Sequence, residues 1–176
     1  MRSVGLAVVT ALVLGAALAL GAATHPSGPP GTLGSPAAPD VAYLRAASAL
    51  LDRVDATLAD EDRVLGEGDA NPGLVGSAAW IARDGQVDDA LQSEYRAAQT
   101  LTAPDGLGDL QTCLVEGLRL SSLGAGMLHD AFLTGGHGAY YLSAHGNWDL
   151  NLGHDRLQQC RASLVQLRVS GSGVEG

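Results

Sequence analysis

Leu44, Leu51, Leu58 and Leu65 stand seven residues apart. That spacing keeps one face of an α-helix apolar over several turns, and a strand, with its period of two, has no use for it. Apolar or small residues at 41, 44, 47/48, 51, 54, 58 and 65 fill out the stripe, while Asp52, Arg53, Asp55, Asp60, Asp62 and Arg63 fall mostly outside it. Asp40 is placed to cap this first helix, and Gly66 and Gly68 in "GEGDANPG" are expected to end it before Pro72. A second helical segment is predicted over 77–101, with Trp80, Ile81, Val87, Leu91, Tyr95, Ala98 and Leu101 as its stripe and Asp84-Gly85 as a candidate break. The third carries Leu107, Leu110, Leu114, Leu118, Ser121, Leu128 and Phe132, and Gly135-Gly136-His137-Gly138 interrupts it. A fourth is predicted over 139–169, with Leu150, Gly153, Leu157, Cys160, Leu164 and Leu167 on one face; Gly146 and Gly153 weaken its first half.

Aromatic residues make up only 4% of a chain that is 46% apolar, so the core must be built from Leu, Val and Ala. Such side chains suit close-packed helices better than a sheet, which favours β-branched and aromatic residues. Four amphipathic segments with short connections predict an all-α fold, an up-down-up-down four-helix bundle. The expected domain covers 40–169 and is followed by a loose tail, 170–176, that contains "SGSGVEG".

The N-terminus reads differently. Arg2 precedes an uncharged stretch from Val4 to Ala23, and the small residues Gly21 and Ala23 permit cleavage after Ala23. Residues 1–23 are therefore expected to be an export signal, or an N-terminal membrane anchor if they are kept. No cysteine lies near that site to carry a lipid. Residues 24–39, "THPSGPPGTLGSPAAP", hold five of the seven prolines and are expected to be a flexible linker.

An exported chain with two cysteines invites one disulfide. Geometry adds a reason. If the third and fourth helices form an antiparallel hairpin turning between Gly136 and His137, then Cys113 and Cys160 lie 23.5 residues on either side of the turn. Equal distance along two antiparallel helices is equal height, so Cys113 and Cys160 are predicted to be linked. No C-x-x-C pair is present to suggest redox chemistry.

Charge narrows the partners. The net charge is −9, and all ten basic residues are arginine. This acidic balance, without any basic run, excludes nucleic acid and anionic membrane surfaces as expected partners, and a membrane contact is expected only through an uncleaved N-terminal segment. The catalytic motifs are missing too: H-E-x-x-H, the Walker phosphate loop, C-x-x-C-H, paired Glu-x-x-His and G-x-S-x-G do not occur. "GGHGAYYLS" lacks the aspartate of a calcium repeat, with Tyr140 in its place, and "NWDLNLGHD" lacks the glycine and closing glutamate of a calcium loop.

The histidines remain. His129, His137, His145 and His154 fall within residues 129–155. The turn that aligns the cysteines also aligns His129 with His145, and Asp149 lies one helical turn beyond His145. His129, His145 and Asp149 are thus candidate ligands for a Zn or Cu ion, with His137 or water as a fourth; His154, nine residues from His145, falls on the opposite side of its helix. The competing reading makes His145–Asp149 an ordinary surface pair and needs no cofactor. Together these observations lead us to expect an exported, non-enzymatic helical bundle that binds an unidentified protein or small ligand, or acts in the cell envelope. The alternative is a metal- or cofactor-binding bundle using His129 and His145.

Overall fold

The computed structural model describes residues 38–172. The expected export signal, nearly all of the expected linker and residues 173–176 lie outside that range. Four helices follow one another, α1 (Ala38–Ala70), α2 (Ala78–Thr100), α3 (Gly108–Thr134) and α4 (Gly136–Ser172), and no strand occurs among the described residues. Among them, no helix is long and apolar enough to cross a membrane.

The buried positions explain the packing. On α2 they are Trp80, Asp84, Val87, Leu91, Glu94 and Ala98. On α4 they are Gly146, Leu150, Gly153, Leu157, Cys160 and Leu164, and on α3 the run Leu110, Leu114, Gly117, Ser121, Gly124, Leu128, Ala131 recurs with the same alternation of four and three. On α1, Ala47, Leu51, Val54, Leu58 and Glu61 do so as well. A mean repeat of 3.5 residues keeps a seam facing its neighbours when helices wind slightly around one another, the geometry of helical bundles. Chain neighbours run antiparallel. Thr57 meets Glu94 while Val64 meets Trp80, and Asp84 meets His129 while Ala98 meets Gln111. α1 closes the ring against α4 through Arg161, whose guanidinium bonds Asp52 and Asp55.

Several helix boundaries differ from those expected. α1 does not stop at Gly66 or Gly68 but continues to Ala70. At Gly68 a Cβ would lie 3.0 Å from the Val75 side chain and 3.3 Å from the Trp80 ring, so this glycine admits a close neighbour. The helix ends where Pro72 disfavours helical backbone at Asn71. α2 is unbroken at Asp84-Gly85, and Ser77 caps it by accepting a hydrogen bond from the Trp80 amide at 3.3 Å. Only Gly135, with φ +63°, separates α3 from α4, so α4 starts three residues earlier than expected. At its other end α4 runs to Ser172, and residues 170–172 continue the helix instead of beginning a loose tail.

The α3–α4 hairpin is the most intimate contact. A Cβ on Gly124 would lie 2.5 Å from the Leu150 backbone nitrogen and 2.6 Å from the Gly146 carbonyl oxygen, and one on Gly146 would lie 2.8 Å from the Gly124 carbonyl. A Cβ on Gly153 would lie 2.6 Å from the Ser121 backbone nitrogen, and one on Gly117 would lie 2.9 Å from Leu157 Cγ. Gly146 and Gly153 therefore do not simply weaken α4: together with Gly117, Ser121 and Gly124 they let two backbones approach more closely than leucine seams allow. At the far end of this contact Cys113 and Cys160 are joined by a disulfide with their Cα atoms 5.8 Å apart.

Candidate functional site

A seam built from leucine and glycine has no need of acids, yet four polar residues are buried in it: Glu61 on α1, Asp84 and Glu94 on α2, and Ser121 on α3. Glu94 is the most conventional of them. Its Oε1 accepts a hydrogen bond from Thr57 Oγ1 at 2.9 Å. Burial pushes its carboxyl up, and the Thr57 bond and the Arg53 charge pull it back.

Asp84 is 2% exposed, and its Oδ2 lies 2.6 Å from His129 Nδ1. Burial raises its pKa; the hydrogen bond and charge of His129 oppose the rise, and Asp88 adds to it. Gly85 makes the pairing possible, because a Cβ there would stand 3.0 Å from the His129 ring at Cε1. His129 in turn projects from α3 toward α2 because it follows the seam residue Leu128 by one position. The imidazole is 22% exposed, so the dyad spans from the bundle interior to its rim.

Glu61 breaks most fully with the rule that buried polar groups find partners: Glu94 Oε2 and Ser121 Oγ also lack one, but in Glu61 both carboxylate oxygens do. It is 1% exposed, and neither Oε1 nor Oε2 has a hydrogen-bond partner. Its pKa is pushed up to about 8, first by burial and then by the charges of Asp84, Asp62 and Asp88. Glu61 is therefore mostly neutral at pH 7. The dyad and Glu61 together form an acid-rich layer between α1, α2 and α3, in which His129 is the basic group bonded to a carboxylate.

The residues expected to form a metal site do not converge. His129 is engaged with Asp84, while His145 is exposed and packs at a tilt against Tyr141, with ring centroids 4.1 Å apart. Asp149, half-buried, lies one turn farther along α4. His129 and His145 share a height on the hairpin but point to different sides of it. No group of three or more His, Cys, Asp or Glu able to hold a metal ion occurs among the described residues. The apolar stripes alone do not reveal Glu61, Asp84 and Glu94, and Asp84 reads in the sequence as part of a helix break. A signal was nevertheless present: Glu61 follows Leu58 by three, Asp84 precedes Val87 by three, and Glu94 follows Leu91 by three, all in seam phase.

Removing the imidazole should expose the dependence of Asp84 upon it. His129→Ala leaves a buried carboxylate without a partner and is expected to lower stability at pH 7 by about 1–3 kcal/mol. Adding Asp84→Asn to that variant should restore part of the loss. Urea unfolding of the two single variants and the double variant measures the coupling; additive effects would show that the 2.6 Å contact contributes nothing to stability.

A second feature lies on the outside of α4. Tyr141, His145, Trp148 and Leu152 recur at intervals of four, three and four, opposite in phase to the seam. Tyr141 is 62% exposed and Trp148 70%, and the adjacent Tyr140 is 80% exposed. In a chain with four tyrosines, two tryptophans and one phenylalanine, this gives one helix three aromatic rings turned to solvent. The stripe runs on past Leu152 into a cleft between α3 and α4 lined by Leu120, Glu116 and Arg156, the last two ion-paired at 3.0 Å.

No protein-family model, curated protein or solved structure matches this chain.

Proposed function

We propose that this protein is an exported, non-enzymatic helical bundle that acts as a binding or cell-envelope interaction module, and that the outer face of α4 is its binding face. The observation that carries this reading is the solvent-facing run Tyr141–His145–Trp148–Leu152 with Tyr140 beside it. Large aromatic side chains are enriched at the centres of protein interfaces, where a rigid ring buries much area at little entropic expense. The other aromatic residues are at least partly buried: Trp80 packs edge-on against Phe132 with centroids 4.5 Å apart and donates from Nε1 to the Val64 carbonyl at 3.0 Å. Aromatic burial was therefore open to this fold, which makes the outward rings of α4 more telling.

Export is supported by the uncharged N-terminal stretch after Arg2 and by a disulfide of the kind that persists in oxidising compartments. A non-enzymatic role is supported by the lack of a recognisable catalytic motif and by the burial of Glu61 and Asp84, which keeps both carboxyls away from bulk solvent.

The test is site-specific photocrosslinking of the full chain in its native cells. A photoreactive amino acid at Tyr141, Trp148 or Leu152 is expected to give one discrete adduct of the same mass. The same group at Asp62 or Asp89, on exposed faces of α1 and α2, should give none. Trp148→Ala should abolish the adduct formed from Leu152. Equal labelling from all five positions, or none from α4, would overturn the assignment of the face.

A further inference from the structure

Glu61 occupies the seam of α1 without a partner, and the groups around it are acids. Asp62 is its neighbour on α1; Asp84 and Asp88 approach from α2; His129 on α3 reaches this layer only through its bond to Asp84. The nearby arginines are turned away. Arg63 pairs with Asp60 and Arg83 with Glu67 at the surface, both at 2.6 Å, and two α4 guanidiniums that touch α1 do so nearer the start of that helix, Arg161 at Asp52 and Asp55 and Arg168 at the Leu44 carbonyl. Nothing in the layer compensates a negative charge on Glu61.

The rest of the molecule divides into a tight part and a loose part. α3 and α4 are held by a stripe of glycines in backbone contact and by the Cys113–Cys160 disulfide. α1 has neither device. Beyond its apolar seam, its C-terminal half is attached by the Trp80–Val64 hydrogen bond, the Thr57–Glu94 hydrogen bond and the exposed Arg83–Glu67 pair.

We propose that Glu61 is a proton-operated latch: protonated, it lets the C-terminal half of α1 pack on the rest of the bundle, and ionised, it drives that half away while the α3–α4 hairpin stays closed. An ionised carboxylate in this layer has two ways to lower its energy, recovering water or recovering a proton. Opening α1 supplies the water. The hairpin cannot answer in the same way, because its glycine contacts are backbone to backbone and its far end is covalently closed.

The direction of the pH effect follows. Folding raises the Glu61 pKa from an ordinary 4.5 to about 8, so the closed form binds the proton more tightly than the open form. Closure is fully favoured below 4.5, weakens as pH rises, and reaches its weakest level above about 8. If Glu61 titrates at 4.5 once α1 opens, the opening equilibrium grows about a hundredfold between pH 6 and pH 9.5, one decade per pKa unit gained.

Hydrogen exchange on the full oxidised chain, followed peptide by peptide at pH 6, 7, 8 and 9.5 and expressed as protection factors, tests this. Amides of residues 54–70 are expected to lose protection by up to about a hundredfold across that range, with amides of α3 and α4 unchanged. Glu61→Gln keeps the shape and cannot ionise, and its α1 protection should be flat with pH. Equal loss over all four helices, no loss in α1, or a pH-dependent loss that survives in Glu61→Gln would each overturn the latch. Should that variant fail to fold, the regional pattern in the wild-type chain decides the matter alone.

Discussion

Gly124→Ala is expected to destabilise the protein by about 3 kcal/mol or more, although alanine is the better helix former. The added Cβ would lie 2.5 Å from the Leu150 backbone nitrogen, 2.6 Å from the Gly146 carbonyl oxygen and 2.9 Å from the Leu150 Cα. None of these atoms is a side-chain tip that can rotate aside. The helices must separate, and separation removes dispersion contacts along the whole seam from Gly117 to Leu157. Gly124→Val should be worse, giving a protein in which α3 and α4 no longer pack natively. Gly66→Ala supplies the control. Gly66 is also inside a helix, α1, but nothing lies within 4 Å of a Cβ built there. That substitution is expected to raise stability by roughly 0.5–1 kcal/mol, the intrinsic helical preference for alanine. Urea unfolding of both variants measures the contrast. If both move stability in the same direction, the close approach of α3 to α4 is not what glycine provides at position 124.

Opening the disulfide should have an effect of comparable size. The bond links residues 47 apart, and in the chain-entropy picture a loop of that size restricts the unfolded state by about 4 kcal/mol. Cys113→Ala, Cys160→Ala and the double variant are expected to lose similar amounts, because any one of them releases the same loop. Cys160 is fully buried and alanine leaves a small void there, so the two variants that carry Cys160→Ala should be marginally weaker than Cys113→Ala. Reduction of the wild-type chain should reproduce the loss without any substitution. Coincident urea transitions for oxidised and reduced protein would mean that the α3–α4 contact holds without its covalent clamp.

Much of this fold is legible in the sequence, because the seams are periodic. Leu51, Leu58, Leu91, Leu114, Leu157 and Leu164 repeat at helical spacing and were expected to be buried, and they are. The cysteine pairing was legible for a related reason. Two antiparallel helices with a one-residue turn convert distance along the chain into height; Cys160 is in seam phase and Cys113 stands one position before the seam residue Leu114. The same arithmetic set His129 opposite His145 in height alone. It carried no direction, because neither histidine is in seam phase: His129 falls toward α2, where Asp84 waits, and His145 faces solvent beside Tyr141. Height needs only a residue count, whereas direction depends on which helix occupies which side, and a single helix does not carry that information.

The sequence by itself determined that this chain forms amphipathic helices, where the apolar part of each seam lies, and which two cysteines can meet. Those are consequences of period and chain length, properties each segment holds alone. Only the tertiary structure decided that Gly124, Gly146 and Gly153 are contact points, not weak points, since a glycine's worth depends on how near another backbone comes. It decided likewise that Glu61 and Asp84 are core residues while Trp148 is a surface one, reversing what hydropathy assigns to each. Burial belongs to the assembled set of helices, and a charged side chain in seam phase is buried by its neighbours, at an energetic penalty it has no means to refuse.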